Sequence, residues 1–212
     1  MLTRTRRTNL EEVPFSMIYN GLPDLKTASQ FVRTNGLVGR MCAVVSDIFN
    51  RHGVQHHWGI DLLHRHHELG DGEVMGETLR PGDGMYECVM QPISVDASGH
   101  VPVTYRVHEG GFRPLEFSCA AYAKAANEML AAKPAFLAEL ATALVDNGLE
   151  DHFGLGVVRP VLNRMDFRWV ETSDHNTRTS VLRHVPYAQM GEHVVKASWS
   201  FAGEPCRNCV NN

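Results

Sequence analysis

Histidine is concentrated in one short stretch of the chain, and imidazole both binds metals and transfers protons near neutral pH. Six of the twelve histidines lie between His52 and His67. Within that stretch His64 and His66 are two positions apart, so on a β-strand both rings would point to the same face. Two neutral imidazole nitrogens on one face can bind a shared iron(II) or zinc ion. The spacing therefore predicts a divalent metal site.

A third metal ligand is expected from across a β-hairpin. Asp71-Gly72 is a turn signal, and a two-residue turn there would pair residue 66 with residue 77. Directly paired residues share a face, which would place Glu77 beside His66. The predicted metal site is then His64, His66 and Glu77, with positions open for water or substrate. A three-residue turn would instead pair Glu77 with Arg65 and remove it from the site.

Three further residues are candidates for substrate chemistry. Arg65 could orient an anionic substrate, because a guanidinium matches the two oxygens of a carboxylate. His184 continues the face of Ser180 and Leu182 on a predicted strand, which makes it the best fourth candidate, and nothing in the sequence fixes its distance from the histidine cluster. Cys119 opens a predicted helix, where free N–H groups and the helix dipole favour a reactive thiolate. For Cys119, burial as a small apolar side chain is nevertheless the favoured interpretation.

The elements that would position these residues indicate an α+β protein. Helical periodicity predicts a helix capped by Asp24, a second over 42–52 that stops at Gly53, and an αα-hairpin over 119–148. Alternating apolar residues predict strands between residues 56 and 117 and between 154 and 201, mostly joined by short turns. We therefore expect a largely antiparallel sheet with the αα-hairpin and the N-terminal helices packed on it.

The chain is expected to form one domain. Residues 1–22 are predicted to be an N-terminal arm, residues 23–202 the α+β domain, and residues 203–212 a flexible tail. The tail contains one CxxC motif, Cys206 to Cys209, without the second pair that a zinc ribbon needs. Five cysteines at irregular spacing do not form a disulfide framework, which predicts a reducing, cytoplasmic setting.

Composition limits the classes of partner. Lys and Arg total 20 against 24 acidic residues, for a formal net charge of -4, so a nucleic-acid partner is not expected. No apolar run is long enough for a transmembrane helix, so no membrane partner is expected. A small-molecule substrate or ligand is the expected partner, and a homo-oligomer is left open.

A short stretch resembles the metal motif of the cupin family: His64-x-His66, then Glu77, then Arg80-Pro81-Gly82-Asp83. The position where that motif places its glutamate holds Gly70 or Asp71 here, and a long helical hairpin fits a compact cupin barrel poorly. Membership of the family is not inferred from this stretch.

The first functional hypothesis is a small metal-dependent enzyme, with iron or zinc activating water or oxygen or polarising a substrate oxygen. The alternative is a non-catalytic ligand-binding or protein-interaction domain, whose histidines shape a pocket or respond to pH. A less favoured third hypothesis is a thiol enzyme that uses Cys119 as its nucleophile.

Overall fold

The computed structural model describes residues 14–81, 86–159, 167–190, 194–202 and 208–211. Residues 1–13 of the predicted arm and most of the predicted tail, including Cys206, lie outside these ranges. The last part of the arm forms a helix in which Tyr19 is fully buried, and residues 208–211 of the tail form a paired strand. Both segments therefore pack as parts of the domain.

Five α-helices are described: α1 (Phe15–Asn20), α2 (Leu25–Thr34), α3 (Leu37–His52), α4 (Ala121–Ala131) and α5 (Pro134–Asp146). The Asp24 carboxylate caps α2 by accepting a hydrogen bond of 2.8 Å from the Thr27 N–H, as predicted. Gly53 ends α3 in the left-handed conformation with φ 66°, also as predicted. Both signals depend only on neighbouring residues, so they can be recognised in the sequence alone.

Ten strands are described, and a 3₁₀ turn follows β8 at Tyr187–Gln189. The strands are β1 (Trp58–Leu62), β2 (Glu73–Pro81), β3 (Tyr86–Ser94), β4 (Val101–His108), β5 (Gly111–Ser118), β6 (Phe153–Val157), β7 (Phe167–Asp174), β8 (Thr179–Pro186), β9 (Val195–Trp199) and β10 (Asn208–Asn211).

These strands close into a barrel in the order β1-β6-β4-β5-β2-β3-β8-β7-β10-β9, and β9 pairs back onto β1. Of the ten neighbouring pairs, β2 with β5 and β7 with β10 are parallel, and the other eight are antiparallel. The predicted α+β class with a mostly antiparallel sheet is confirmed. Closure of the sheet was not predicted, since local periodicity carries no information about which distant strands pair.

Helices α2 to α5 cover one side of the barrel, whereas α1 packs on β2. Helix α5 packs on α3 and on β4 and β5, α4 packs on β4, and α2 packs on α3 and β9. On β1, alternation directs Trp58, Ile60 and Leu62 into the core that these helices share, while Asp61 takes the opposite face and lines the barrel interior. Mutual packing of α4 and α5 as an αα-hairpin stays a prediction.

The predicted pairing of residue 66 with residue 77 is wrong. Strand β1 ends at Leu62, and β2 pairs with β3 and β5 rather than with the chain around His66. Glu77 consequently stands opposite Met90 on one side and Ser118 on the other. His64 and His66 lie beyond the end of β1, so they are not presented by a strand as the alternation predicted.

Candidate acid–base site

His66 lies between two buried carboxylates. Its Nδ1 is 2.7 Å from Glu171 Oε1, and its Nε2 is 3.2 Å from Glu116 Oε1. The side chains of His66, Glu116 and Glu171 are only 6%, 8% and 6% exposed. Both ring nitrogens can donate to a carboxylate only when the imidazole is doubly protonated. The arrangement therefore describes an imidazolium held by two anions.

Other elements fix the two glutamates in place. Tyr19 of α1 donates its hydroxyl to Glu116 Oε1 at 3.1 Å and accepts a 3.2 Å bond from the backbone N–H of His66. Thr104 of β4 donates to Glu116 Oε2 at 2.9 Å, and Ser173 of β7 donates to Glu171 Oε1 at 3.2 Å. Buried carboxylates are tolerated when their oxygens are hydrogen-bonded in this way.

Burial alone would lower the pKa of His66, but the charges of Glu171 and Glu116 outweigh it and raise that pKa well above 6.5. The reciprocal effect acts on the carboxylates. Burial opposes their ionisation, yet the His66 charge and its hydrogen bonds lower the pKa of Glu116 and of Glu171 to about 2. All three groups are therefore charged at neutral pH.

His64 lies beside this charged trio, with its ring centroid 4.6 Å from that of His66. Its Nδ1 is 2.8 Å from the Leu62 carbonyl oxygen, which places the ring proton on Nδ1 and leaves a lone pair on Nε2. Nε2 is buried and has no hydrogen-bond partner among the described residues. Burial and the neighbouring His66 charge lower the pKa of His64. One histidine is thus neutral, with a lone pair on Nε2, and its neighbour is a fixed cation.

Two cavities meet at this pair of rings. An outer cleft of about 1200 Å³ is lined by His64, Arg65, His66, His67, Glu171 and neighbouring residues. An inner cavity of about 30 Å³ lies within the barrel and is also lined by His64, His66 and Glu171. These three shared residues therefore line both a space large enough for a small organic molecule and a small, partly polar space inside the barrel.

Asp61 lines the inner cavity from β1. Its Oδ1 accepts a 2.6 Å bond from Ser198, while Thr104 lies 3.5 Å from its Oδ2. Burial raises the pKa of Asp61 to about 6, although Arg159 and Ser198 lower it. Gly156 of β6 lies against the carboxylate, because a Cβ at that position would overlap Asp61 Oδ2. Glycine at that position gives the carboxylate its space.

Glu77 belongs to a separate buried cluster. Its Oε2 is 2.7 Å from Arg159 Nε, its Oε1 accepts a 2.9 Å bond from Ser118, and Tyr122 also donates to Oε1. Burial opposes ionisation, but Arg159 and Tyr122 hold the pKa of Glu77 below its usual range. The predicted third metal ligand is thus engaged by a cation rather than aimed at the histidine pair. Within the described ranges, no three His, Cys, Asp or Glu side chains are grouped to hold a metal ion.

The predicted catalytic residues are dispersed. Arg65 lines the outer cleft, but its Nη1 donates to the carbonyl oxygens of Asn20 and Leu22 at 3.1 and 2.9 Å. His184 stacks on Trp169, with ring centroids 3.8 Å apart, and lies outside the lining of both cavities. Cys119 precedes α4 as predicted but is exposed, so the prediction that it is buried is wrong.

The glutamates that hold His66 were not predicted from the sequence. Glu171 shares a strand face with Trp169 and Ser173, and an acid on a face with a buried tryptophan was the available signal. The sequence contained no signal for Glu116, because its role depends on β5 and β7 facing each other across the barrel. The partners of a buried histidine are set by tertiary structure.

The protonation states can be measured directly by nitrogen-15 NMR of the imidazole rings. We expect His66 to stay doubly protonated to well above pH 6.5, and His64 to stay neutral, with its proton on Nδ1, to below pH 6.5. The raised pKa of His66 stabilises the fold fully below pH 6.5, and that contribution is lost as pH rises through the folded pKa. The lowered pKa values of Glu116 and Glu171 stabilise it above pH 4.5, with loss as pH falls toward 2. Equal NMR titration midpoints for His64 and His66 would contradict the proposed charge states of the two rings.

None of the helices in the described ranges is long and apolar enough to cross a membrane. No protein-family profile, curated protein or solved structure matches this chain significantly, so what the chain does has to be inferred from the geometry of this site.

Proposed function

We propose that this protein is an enzyme that binds a small molecule in the outer cleft and transfers protons to or from it through His64. The observation that carries the proposal is the buried Nε2 of His64, which has a free lone pair and no partner among the described residues. That atom belongs to a residue that lines both the cleft and the inner cavity. A buried polar atom without a partner costs about 1–3 kcal/mol, and a catalytic role is one explanation for keeping such an atom.

His66 is proposed to act on His64 rather than on the substrate. Both nitrogens of His66 are engaged by carboxylates, so its proton is not readily released. Its positive charge at a ring distance of 4.6 Å disfavours a second imidazolium, which keeps His64 in the neutral form that can accept a proton between turnovers. Glu116 and Glu171 would in turn hold His66 in position and stabilise its charge.

The cleft offers both signs of charge to a substrate. Lys26 and Arg65 line it together with Asp24 and Glu68, while Arg178 is paired with Glu73 at 2.5 Å. A polar molecule with an anionic group near Lys26 and Arg65 fits this lining best. This agrees with the sequence-based hypothesis of a small substrate that an arginine could orient.

The metal-dependent version of the enzyme stays a prediction. His64 Nε2 is a free imidazole nitrogen of the kind that binds iron or zinc, but Glu77 would have to leave Arg159 to join it. Elemental analysis of the purified protein decides this: stoichiometric metal that is lost in a His64→Ala, His66→Ala double variant would support the metal site. The thiol enzyme also stays a prediction, and fast iodoacetamide labelling of Cys119 near neutral pH would support it.

Ligand screening tests the proposal. Small carboxylates, alcohols and amines would be screened for shifts of the His64 ring nitrogen signals and for a raised Tm. We expect at least one compound class to shift the His64 signals in the wild type and to lose affinity in His64→Gln. The control is His56→Gln, because His56 is an exposed histidine that lines neither cavity.

Equal binding by His64→Gln, or no response of the His64 signals to any class, would contradict the proposed role of His64. Binding that depends on His64, without conversion of the bound compound, would support the non-catalytic ligand-binding domain instead.

A further inference from the structure

We propose that the inner cavity holds a water molecule bound between His64 and Asp61, and that this water is the second reactant of the enzyme, which is then a hydrolase. The reaction class rests on the proposed function. The water site itself rests on the geometry of the barrel interior and can be tested separately.

The inner cavity has the size and polarity that a water molecule needs. About 10–15 Å³ is enough space for one buried water, provided that the site also supplies two to four polar partners. The cavity of about 30 Å³ exceeds that threshold, and Asp61, His64, Thr104 and Ser198 are among its lining residues. The space is far too small for an organic substrate, which belongs in the outer cleft.

Two acceptor atoms in this lining are short of donors. Nε2 of His64 has no partner among the described residues. Oδ2 of Asp61 is 3.5 Å from the Thr104 hydroxyl, a long distance for a hydrogen bond, and that hydroxyl already donates to Glu116 at 2.9 Å. A water molecule carries two O–H donors, so one molecule can supply both acceptors.

The two carboxylates that hold His66 also line this cavity, but their oxygens already accept other hydrogen bonds. Glu116 accepts from His66, Tyr19 and Thr104, and Glu171 accepts from His66 and Ser173. A metal ion would need at least three protein ligands, whereas the water needs only the two acceptors present. The donor and acceptor inventory therefore favours water.

The reaction follows from the position of His64 on both cavities. The water oxygen forms a bond to an electrophilic carbon of the compound in the cleft, and its proton goes to Nε2 of His64. The bond between that carbon and its leaving group breaks with the electron pair on the leaving group, which takes the proton from His64. One water is consumed, because the carbon gains OH and the leaving group gains H. His64 returns to its neutral form.

Crystallography at a resolution that shows ordered solvent tests the water site. We expect a density peak in the cavity within about 2.7–3.2 Å of His64 Nε2, also in reach of Asp61 Oδ2. Asp61→Asn, which is nearly isosteric, tests the water site even if variants of His64 do not fold. Its amide group adds a donor next to the cavity, which is expected to displace or move the density peak. A dry cavity that binds xenon, or an anomalous peak from a metal ion, would overturn the proposal.

Two probes, p-nitrophenyl acetate and styrene oxide, test the reaction class in oxygen-18 water. We expect the wild type and the His56→Gln control to hydrolyse at least one probe with oxygen-18 in the product, and His64→Gln to be about 10²–10⁴-fold slower. Equal rates for wild type and His64→Gln on both probes would overturn the hydrolase assignment. Binding in the cleft, measured by ligand screening, fails or succeeds independently of that result.

Discussion

Replacing His66 with alanine is expected to lower the free energy of unfolding by about 3–5 kcal/mol at neutral pH, because it leaves two buried carboxylates without their shared cation. Glu116 and Glu171 are 8% and 6% exposed, so solvent replaces the lost imidazolium only in part. Their pKa values, held at about 2 by His66, are expected to rise in the variant. Urea denaturation monitored by circular dichroism measures the loss.

The chain offers a matched control for that experiment in the adjacent histidine. His67 is 4% exposed, but its Nε2 is bonded to the Ser180 hydroxyl at 3.1 Å rather than to a carboxylate. His67→Ala therefore removes a buried imidazole without leaving a buried carboxylate unpaired. A smaller loss in the free energy of unfolding is expected than for His66→Ala. Adding Glu171→Gln to His66→Ala should recover part of the stability. Equal losses for the two single variants, with no recovery, would show that the trio contributes only packing.

Replacing Arg159 with methionine is expected to cost about 3–5 kcal/mol as well, by a different route. Glu77 is fully buried, the Arg159 side chain is 9% exposed, and their charged atoms are 2.7 Å apart. Methionine keeps much of the apolar length of the side chain but leaves the Glu77 carboxylate without its cation. Thermal and urea unfolding at several pH values measure the effect.

The pH dependence separates lost charge from lost packing in this variant. Without Arg159, the folded pKa of Glu77 should rise above 4.5, so the deficit should be small below pH 4.5 and should grow as pH rises. The double variant Glu77→Gln, Arg159→Met should recover most of the loss. A deficit that is constant with pH and unchanged in the double variant would contradict the role given to this ion pair.

Local signals in the sequence predicted the local structure well. Asp24 and Gly53 mark the ends of helices because capping depends on residues within one helical turn. The alternation on β1 likewise separated Trp58 and Ile60 from Asp61, since a strand alternates faces whatever its partner is. The concentration of histidines also drew attention to residues 64 and 66, and both rings do line the same cavities.

The partners of those residues could not be derived in the same way. The hairpin argument assumed that β2 returns along the chain just before it, whereas β2 pairs with β3 and, in parallel, with β5. That choice placed Glu77 beside Ser118 and Arg159 instead of beside His66. Glu116 and Glu171 reach His66 from strands 50 and 105 residues further along the chain, a separation at which periodicity carries no information.

Closure of the barrel also constrains how the chain reaches its native state. The pairing of Ile60 with Trp199 and the bond from Ser198 to Asp61 join segments 139 and 137 residues apart, so they form only after a large loop entropy has been overcome. Topologies dominated by such long-range pairing fold slowly, in milliseconds to seconds. The ligand binding proposed for the outer cleft should therefore appear during refolding with the slowest phase, after most of the secondary structure has formed.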